Sequence, residues 1–533
     1  MYECPNCNAN LRFDIRTQNL LCDHCGTQMD PYAFQKERDA EEVQVQEEDY
    51  EVTVFTCPQC GGQLLSDDTT AATFCSFCGG STILDSRISN QRRPAHIIPF
   101  QKTKEDCRKI YLKMMRRAPY APTEMKREEY IARMRSIYIP YWVYTGEKNG
   151  RVKLSASKLA RHGNHDVTQL YNIRTNLQAK YTGLAFDASE GFSDALSNAI
   201  APFQWREARP FTPAYLSGFY ADVDDVDPEL YESDVSDIVG YELYKKIAED
   251  PVCTKYTLGD VVEEMRPNKI KRELSMFPVW FLTYRNKDRV SYAVINGQTG
   301  KAAGDIPVDK GKYFLGSLLL AIPLFILLNL VISMQASTML FLTGLLAGVC
   351  AFISVVQKKQ LRAKEDYMDD KGSGRYLNLG KKEKTVLRKG ARLDMTRAIA
   401  LCLIMLWSIG MGIFSGSKQS AEMMQLFSLV VYSAVMLVGS HYVRVGGGRT
   451  EKPRIPLSIK DIATAIVKPA IGGGIAAIVL CVHPSWSLYY YVAAVAVTLL
   501  IGWDVMGIID RHNLLTSRPL PQFNRRGGEE DGR

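Results

Sequence analysis

The sequence predicts a multi-domain chain: two small β zinc ribbons, a cytosolic α+β domain, and an all-α region of six transmembrane helices. Three observations carry that prediction. A C-x2-C-x14-C-x2-C pattern occurs twice near the start. A strand–turn–strand pattern recurs across the middle of the chain. Six apolar runs then crowd the C-terminal part.

The first pattern is Cys4, Cys7, Cys22 and Cys25, and the second is Cys57, Cys60, Cys75 and Cys78. The two are offset by 53 positions, and Pro5/Pro58, Leu11/Leu64, Asp14/Asp67, Thr17/Thr70 and Gly26/Gly79 coincide, so the unit is duplicated. A CxxC knuckle aims two thiolates at one ion, and two knuckles complete a tetrahedron of sulfurs. Four protein ligands leave no open position, so two structural Zn2+ sites are expected, with an iron–sulfur or rubredoxin-like iron site as the alternative occupant. Each unit is too small for a core of its own, so metal binding supplies its folding free energy. His24 lies inside a knuckle that already has its ligands and reads as a spacer. Of the thirteen cysteines, the other five (Cys107, Cys253, Cys350, Cys402 and Cys481) read as packing residues.

Charge separates the classes of partner. Residues 1–85 hold 4 Lys/Arg and 15 Asp/Glu. A nucleic-acid backbone needs a basic footprint, so ribbons at 1–30 and 53–85, joined by an acidic linker at 31–52, read as protein-binding. Residues 86–136 reverse the sign, with 14 Lys/Arg against 5 Asp/Glu. Thr103 to Asp106 forms a capping box that starts a helix ending before Pro119, and a second helix is expected from Thr123. Ile110, Met114 and Met115 form the apolar stripe of the first helix, beside Lys113, Arg116 and Arg117. Such a basic face fits a solvated helix, contact with the anionic inner leaflet, or docking against the acidic ribbons.

The stretch NGQTGK at 296–301 resembles a phosphate loop only superficially. A P-loop needs GxxxxGK[ST] between strand and helix. Here Ile295 stands at the first glycine, Ala302 at the hydroxyl position, and Gly304 and Pro307 exclude a following helix. The stretch reads as a hairpin turn, with positive φ supplied by glycine, and no nucleotide chemistry is expected. Nearby, IPYWVYTGEKNGRV (139–152) aligns without gaps on FPVWFLTYRNKDRV (277–290), matching Trp142 to Trp280. Two related hairpins in one α+β domain spanning 137–312 follow, with both tryptophans in the core. Between them Asp227-Pro228-Glu229 reads as a helix start. The acidic run around it lacks the glycine and glutamate of a calcium-binding EF-hand loop.

Apolar runs at 313–333, 339–357, 398–415, 423–443, 466–482 and 487–508 are each about the length that crosses a bilayer. They pair as hairpins 313–357, 398–443 and 466–508. The intervening segments 358–397 and 444–465 and the tail 509–533 hold 23 Lys/Arg, while the alternate loops hold only Lys418. That bias places both termini in the cytosol of a multi-pass plasma-membrane protein. Lys468 and Asp504 fall near the inner ends of their spans, where snorkelling or mutual pairing is expected. Gly344, Gly348 and Gly472–Gly474 read as close-packing positions.

Paired CPxC ribbons, IIPF (97–100), YIPYW (138–142), FTPAYLSGFYAD (211–222), FPVW (277–280) and NGQTGKAAGDIP (296–307) resemble a group of uncharacterised bacterial zinc-ribbon membrane proteins. Members are sometimes labelled primosome- or helicase-like. The NGQTGK turn also looks like that of PepSY-type domains. The resemblance implies zinc and a membrane location, and no catalytic residue. No nucleophile–base constellation is visible, so a non-enzymatic adaptor that recruits a cytosolic or membrane protein is the expectation. The alternatives are a transporter or channel regulated by its cytosolic domain, and a membrane-tethered nucleic-acid binder.

Overall fold

Continuous apolar runs such as 137–144 and 277–282 are buried on both faces, so they form the centre of one large sheet with a layer packed on each side. The computed structural model describes residues 3–33, 49–65, 75–79, 85–162, 165–250, 253–258, 263–331, 335–363, 425–430, 432–433 and 459–520.

The first ribbon is a three-stranded antiparallel sheet of β1 (Leu11–Asp14), β2 (Asn19–Cys22) and β3 (Gln28–Met29). In the second, β4 (Asp49–Thr56) pairs with β5 (Gln63–Leu65) and β6 (Asp85–Arg92). These strands do not stand apart. They are the far end of a sheet that continues through β7 (His96–Ile97), β8 (Arg135–His162), β9 (His165–Asp187), β10 (Arg209–Pro210), β11 (Tyr220–Asp222), β12 (Thr257–Leu258), β13 (Lys269–Asn286), β14 (Arg289–Asn296), β15 (Ala302–Gly304) and β16 (Arg518–Pro519). The join runs through Leu65 of β5, which pairs with Ala221 of β11.

The repeated hairpins form the centre of this sheet. Strands β8 and β13 lie antiparallel, and the equivalent residues Ile139 and Phe277 face each other across the pair. A pseudo-twofold axis therefore passes between them. On the outer sides, β9 returns against β8 and β14 against β13. The short strand β11 runs parallel to β8 at Ile137 and Tyr138, and β7 runs parallel to β13 at the equivalent Ser275 and Met276. Each half thus lends its first strand to the other.

The exchange extends to the helices. Helix α1 (Lys104–Arg116) starts at a capping box in which Thr103 and Asp106 bond each other's backbone N–H. Its buried face is Cys107, Tyr111 and Met115, while Ile110 and Met114 are half-buried. The expected second helix is instead a 3-10 turn at Glu124–Lys126 and a single-turn α2 (Glu128–Ile131). The extended backbone of Arg127 (ψ 144°) separates them. In the other half, α3 (Asp194–Ile200) precedes α4 (Glu232–Ala248), which is led in by a 3-10 turn capped by Asp227 with Pro228 behind it. Trp142 donates its indole N–H to Val226 O at 2.8 Å, and Trp280 donates to Lys102 O at 2.9 Å. Both acceptors immediately precede a cap, Asp227 or Thr103. The two tryptophans are core residues, 4% and 5% exposed.

The NGQTGK stretch is the turn between β14 and β15. Asn296 Oδ1 accepts from the N–H groups of Gln298 and Thr299, and Gly300 has φ +78°. Gly297 is required for space and not for φ, because a Cβ there would lie 2.5 Å from the Phe100 ring. Its counterpart across the axis is Ala188. The N–H of Gly297 donates to Pro278 O, and that of Ala188 donates to Pro140 O.

Among the described residues, four helices are long and apolar enough to cross a membrane: α5 (Lys310–Val331), α6 (Ala336–Ala363), α7 (Ile459–Val482) and α8 (Ser487–Leu515). They cover four of the six expected spans; 398–415 and all but a short piece of 423–443 lie outside the described residues. Helices α6, α7 and α8 share a core that includes Leu340, Phe341, Ala476, Val497 and Ile501. Gly344 and Gly348 sit in tight contacts, where a Cβ would lie 3.1 Å from Ala476 and from Tyr432, whereas Gly472 makes ordinary contact and Gly473 and Gly474 face open space.

Asp504 does not snorkel. It is 4% exposed and accepts from Ser354 Oγ at 3.0 Å, and Arg511 donates to the same hydroxyl at 2.6 Å. Lys468 is not its partner in a hydrogen bond or ion pair; the ammonium lies 4.2 Å from the Trp503 ring centroid. The base of α8 is tied to the sheet domain by Arg289, which donates to Leu514 O and Ser517 O, and by the β14–β16 pairing.

Candidate metal centres

All four CxxC knuckles turn the same way. The residue after the second cysteine is left-handed in each: Asn8 (φ 56°), Gly26 (74°), Gly61 (75°) and Gly79 (70°). Its N–H reaches back to the carbonyl of the first cysteine, as from Gly61 to Cys57 O at 2.7 Å and from Asn8 to Cys4 O at 2.8 Å. That short loop swings both sulfurs to one side. Glycine enters it without steric cost, and asparagine is among the side chains that tolerate it best.

The knuckles converge in two groups that can hold a metal ion, Cys4/Cys7/Cys22/Cys25 and Cys57/Cys60/Cys75/Cys78. Within each group the sulfurs lie within 4.8 Å of one another. The cross-knuckle separations are 3.5 Å for Cys4–Cys25 and 3.4 Å for Cys7–Cys22. In the second group, Cys57–Cys78 and Cys60–Cys75 are both 3.8 Å apart. All eight sequence-predicted ligands are therefore brought together as two fours. His24 is in neither group. Cys107, Cys253 and Cys350 are buried, as packing residues should be, while Cys481 is exposed and Cys402 lies outside the described residues.

The two sites differ in surroundings. In the first, Cys25 is exposed and accepts a hydrogen bond from Thr27, which holds its thiol down to about 6. The ribbon still docks. Leu11, Phe13 and Leu20 enter a core with Phe211, Tyr215 and Phe219, and Phe13 N–H donates to Ser217 O at 3.1 Å. The motif FTPAYLSGFYAD is thus the seat of the first ribbon.

The second site is wholly interior. Its four cysteines are each at most 2% exposed and pack with Phe77 against Val290, Tyr292 and Phe281. Tyr292 donates its hydroxyl to Phe77 O at 2.7 Å, and the Thr283 hydroxyl donates to Ser76 O. Hydrogen bonds from Cys60 and its neighbours press the Cys57 thiol well below its usual range. Bonds with Cys57 push Cys60 and Cys75 well above theirs. A buried set of four thiols can give up one proton readily; further thiolates need a cation in their midst.

This wedging is what sequence reasoning missed. Thr283 and Tyr292 belong to the repeated hairpin, and nothing in their spacing marks them as supports for a cysteine site. No family model matches the chain, and no solved structure matches it. The chain is similar to Uncharacterized protein YdjG of Bacillus subtilis (strain 168), at 27% identity over 320 residues that make up 58% of this chain and 91% of that one.

Proposed function

We propose that the protein is a membrane-integral zinc protein whose cytosolic domain acts as an adaptor, recruiting protein partners to the inner face of the membrane. The observation that carries this reading is the placement of two closed four-cysteine groups, one docked on and one built into a sheet domain that is anchored to apolar helices. A tetrahedron of sulfurs around Zn2+, with Zn–S near 2.3 Å, has edges of about 3.8 Å. The cross-knuckle distances of 3.4–3.8 Å fit that figure. Four ligands fill the shell, so the metal braces the fold and offers no position to a substrate. The Lys/Arg bias of the loops supports a cytosolic placement of the domain. The exposed Lys113, Arg116 and Arg117 then add attraction to anionic inner-leaflet lipid.

The test is crosslinking in native membranes. The adaptor reading expects a discrete partner on the cytosolic domain that is lost when cluster cysteines are replaced. An uncrosslinked protein with a full zinc complement would count against it. A second reading, a transporter or channel regulated by the cytosolic domain, draws on the buried Asp504–Ser354–Arg511 chain. Ion or solute flux in proteoliposomes that disappears in Asp504→Asn would favour it.

A further inference from the structure

The hairpin β8–β9 outgrows the sheet that carries it. Strand β13 pairs with β8 only as far as Glu147, yet β8 and β9 stay in register to His162 and His165. The stretch beyond Glu147, from Lys148 to His162, spans about 50 Å at 3.3 Å per residue. It points away from the membrane helices. The β13–β14 turn lies at the opposite end of the antiparallel β8–β13 pair, and there β16 and the end of α8 attach.

One face of this arm is committed. Val152, Leu154 and Ala156 are buried, and the first two pack with Val235, Val239 and Leu243 of α4. The other face is exposed and ordered by register. Arg151 faces Asn176, Lys153 faces Arg174, Ser155 faces Asn172, and Ser157 faces Leu170, with Leu159 one pair beyond. Lys153 and Arg174 are like charges set directly opposite each other, an arrangement that costs stability. Among the described residues no carboxylate or hydrogen-bond acceptor engages Arg151, Lys153 or Arg174. Leu159 and Leu170 are 69% and 82% exposed on the same face. Beyond them, β9 has no neighbour on its outer edge among the described residues.

We propose that the outer edge of β9, from Asp166 to Lys180, accepts an extended acidic segment of a partner protein as an added strand. The backbone edge supplies the pairing, and Arg151, Lys153 and Arg174 take carboxylates. Leu170 and Leu159 give the apolar anchor that separates a protein partner from a nucleic acid, whose interfaces are more polar and more basic. The direction of the arm removes the bilayer as its partner. The proposal rests on the adaptor reading and names the chemistry of its cargo.

The test uses the full chain in neutral-lipid nanodiscs and a fluorescent peptide of alternating glutamate and valine. Binding is expected, with slowed hydrogen exchange along β9 and loss when alternate peptide nitrogens are methylated. The double reversal Lys153→Glu/Arg174→Glu weakens it about tenfold and transfers the preference to a lysine–valine peptide, which also shows that the variant folds. Four results would overturn the proposal: unchanged affinity in the reversal, retained binding of the methylated peptide, tighter binding of a DNA duplex, or self-association through β9. Peptide binding without any crosslinked partner in native membranes would count against the adaptor reading alone.

Discussion

Four left-handed residues decide whether eight sulfurs meet. Gly61 and Gly79 hold φ near +75° and +70° beside a fully buried site, so a β-branched side chain there is strained in the knuckle itself. Gly61→Val is expected to cost about 1–2 kcal/mol and to loosen metal retention, read by unfolding midpoint and metal content. Asn8→Gly, at the one knuckle without glycine, should be neutral or slightly stabilising by the same measurement. The two sites are also unequal. Cys60→Ser leaves uncompensated thiols within a core and should destabilise by about 4 kcal/mol. Cys25→Ser, at an exposed ligand, should cost less although it also removes an ion. Equal losses would mean that burial of the second site adds nothing. The gathering of the eight cysteines into two groups of four was legible in the sequence, because CxxC spacing is a local property. The roles of Thr283 and Tyr292 were not, because they arise from packing between segments far apart in the chain.

Elements were legible where their signal is local, and misread where a neighbour overrides it. The capping box at Thr103 placed α1 correctly, and Asp227-Pro228 marked the start leading to α4. Thr103→Ala should cost about 1 kcal/mol in chemical denaturation. Asp106 accepts from the Thr103 hydroxyl and backbone N–H, which holds its carboxyl below the usual value of 3.8. Its folded pKa is depressed, so its contribution is present above 3.8 and is lost as pH falls through the lower folded value. Asp106→Asn should therefore remove an acid-side dependence, and an unaltered profile would contradict the cap. The helix expected at Thr123 dissolved into two short pieces because Arg127 is extended. The repeat gave the two hairpins but not their exchange. That β7 pairs with β13 and β11 with β8 follows from an axis through Ile139 and Phe277, which no spacing announces. Trp142→Phe and Trp280→Phe remove equivalent indole bonds to Val226 and Lys102, so their stability losses should match within about 0.5 kcal/mol. A much larger loss at one of them would break the symmetry argument.

At the scale of the molecule, the second four-cysteine site is the keystone of the large sheet domain. Its ribbon strands extend the main sheet, its sulfurs join the core of the repeated hairpins, and the neighbouring β14 pairs with β16 just after the last apolar helix. The sequence separates ribbon, domain and membrane by composition, and the fold joins them, since composition cannot report which surfaces are shared. Metal loss should then travel. Because protons compete for thiolates, metal affinity falls as pH falls, and a chelator should act faster at lower pH. The most direct measurement is the metal content of the full chain, purified reduced in detergent, followed by thermal unfolding before and after chelation. The account predicts two zinc ions per chain and a sheet domain that loses its cooperative unfolding once they are withdrawn. Protein that carries no zinc, or that unfolds unchanged without it, would contradict the claim.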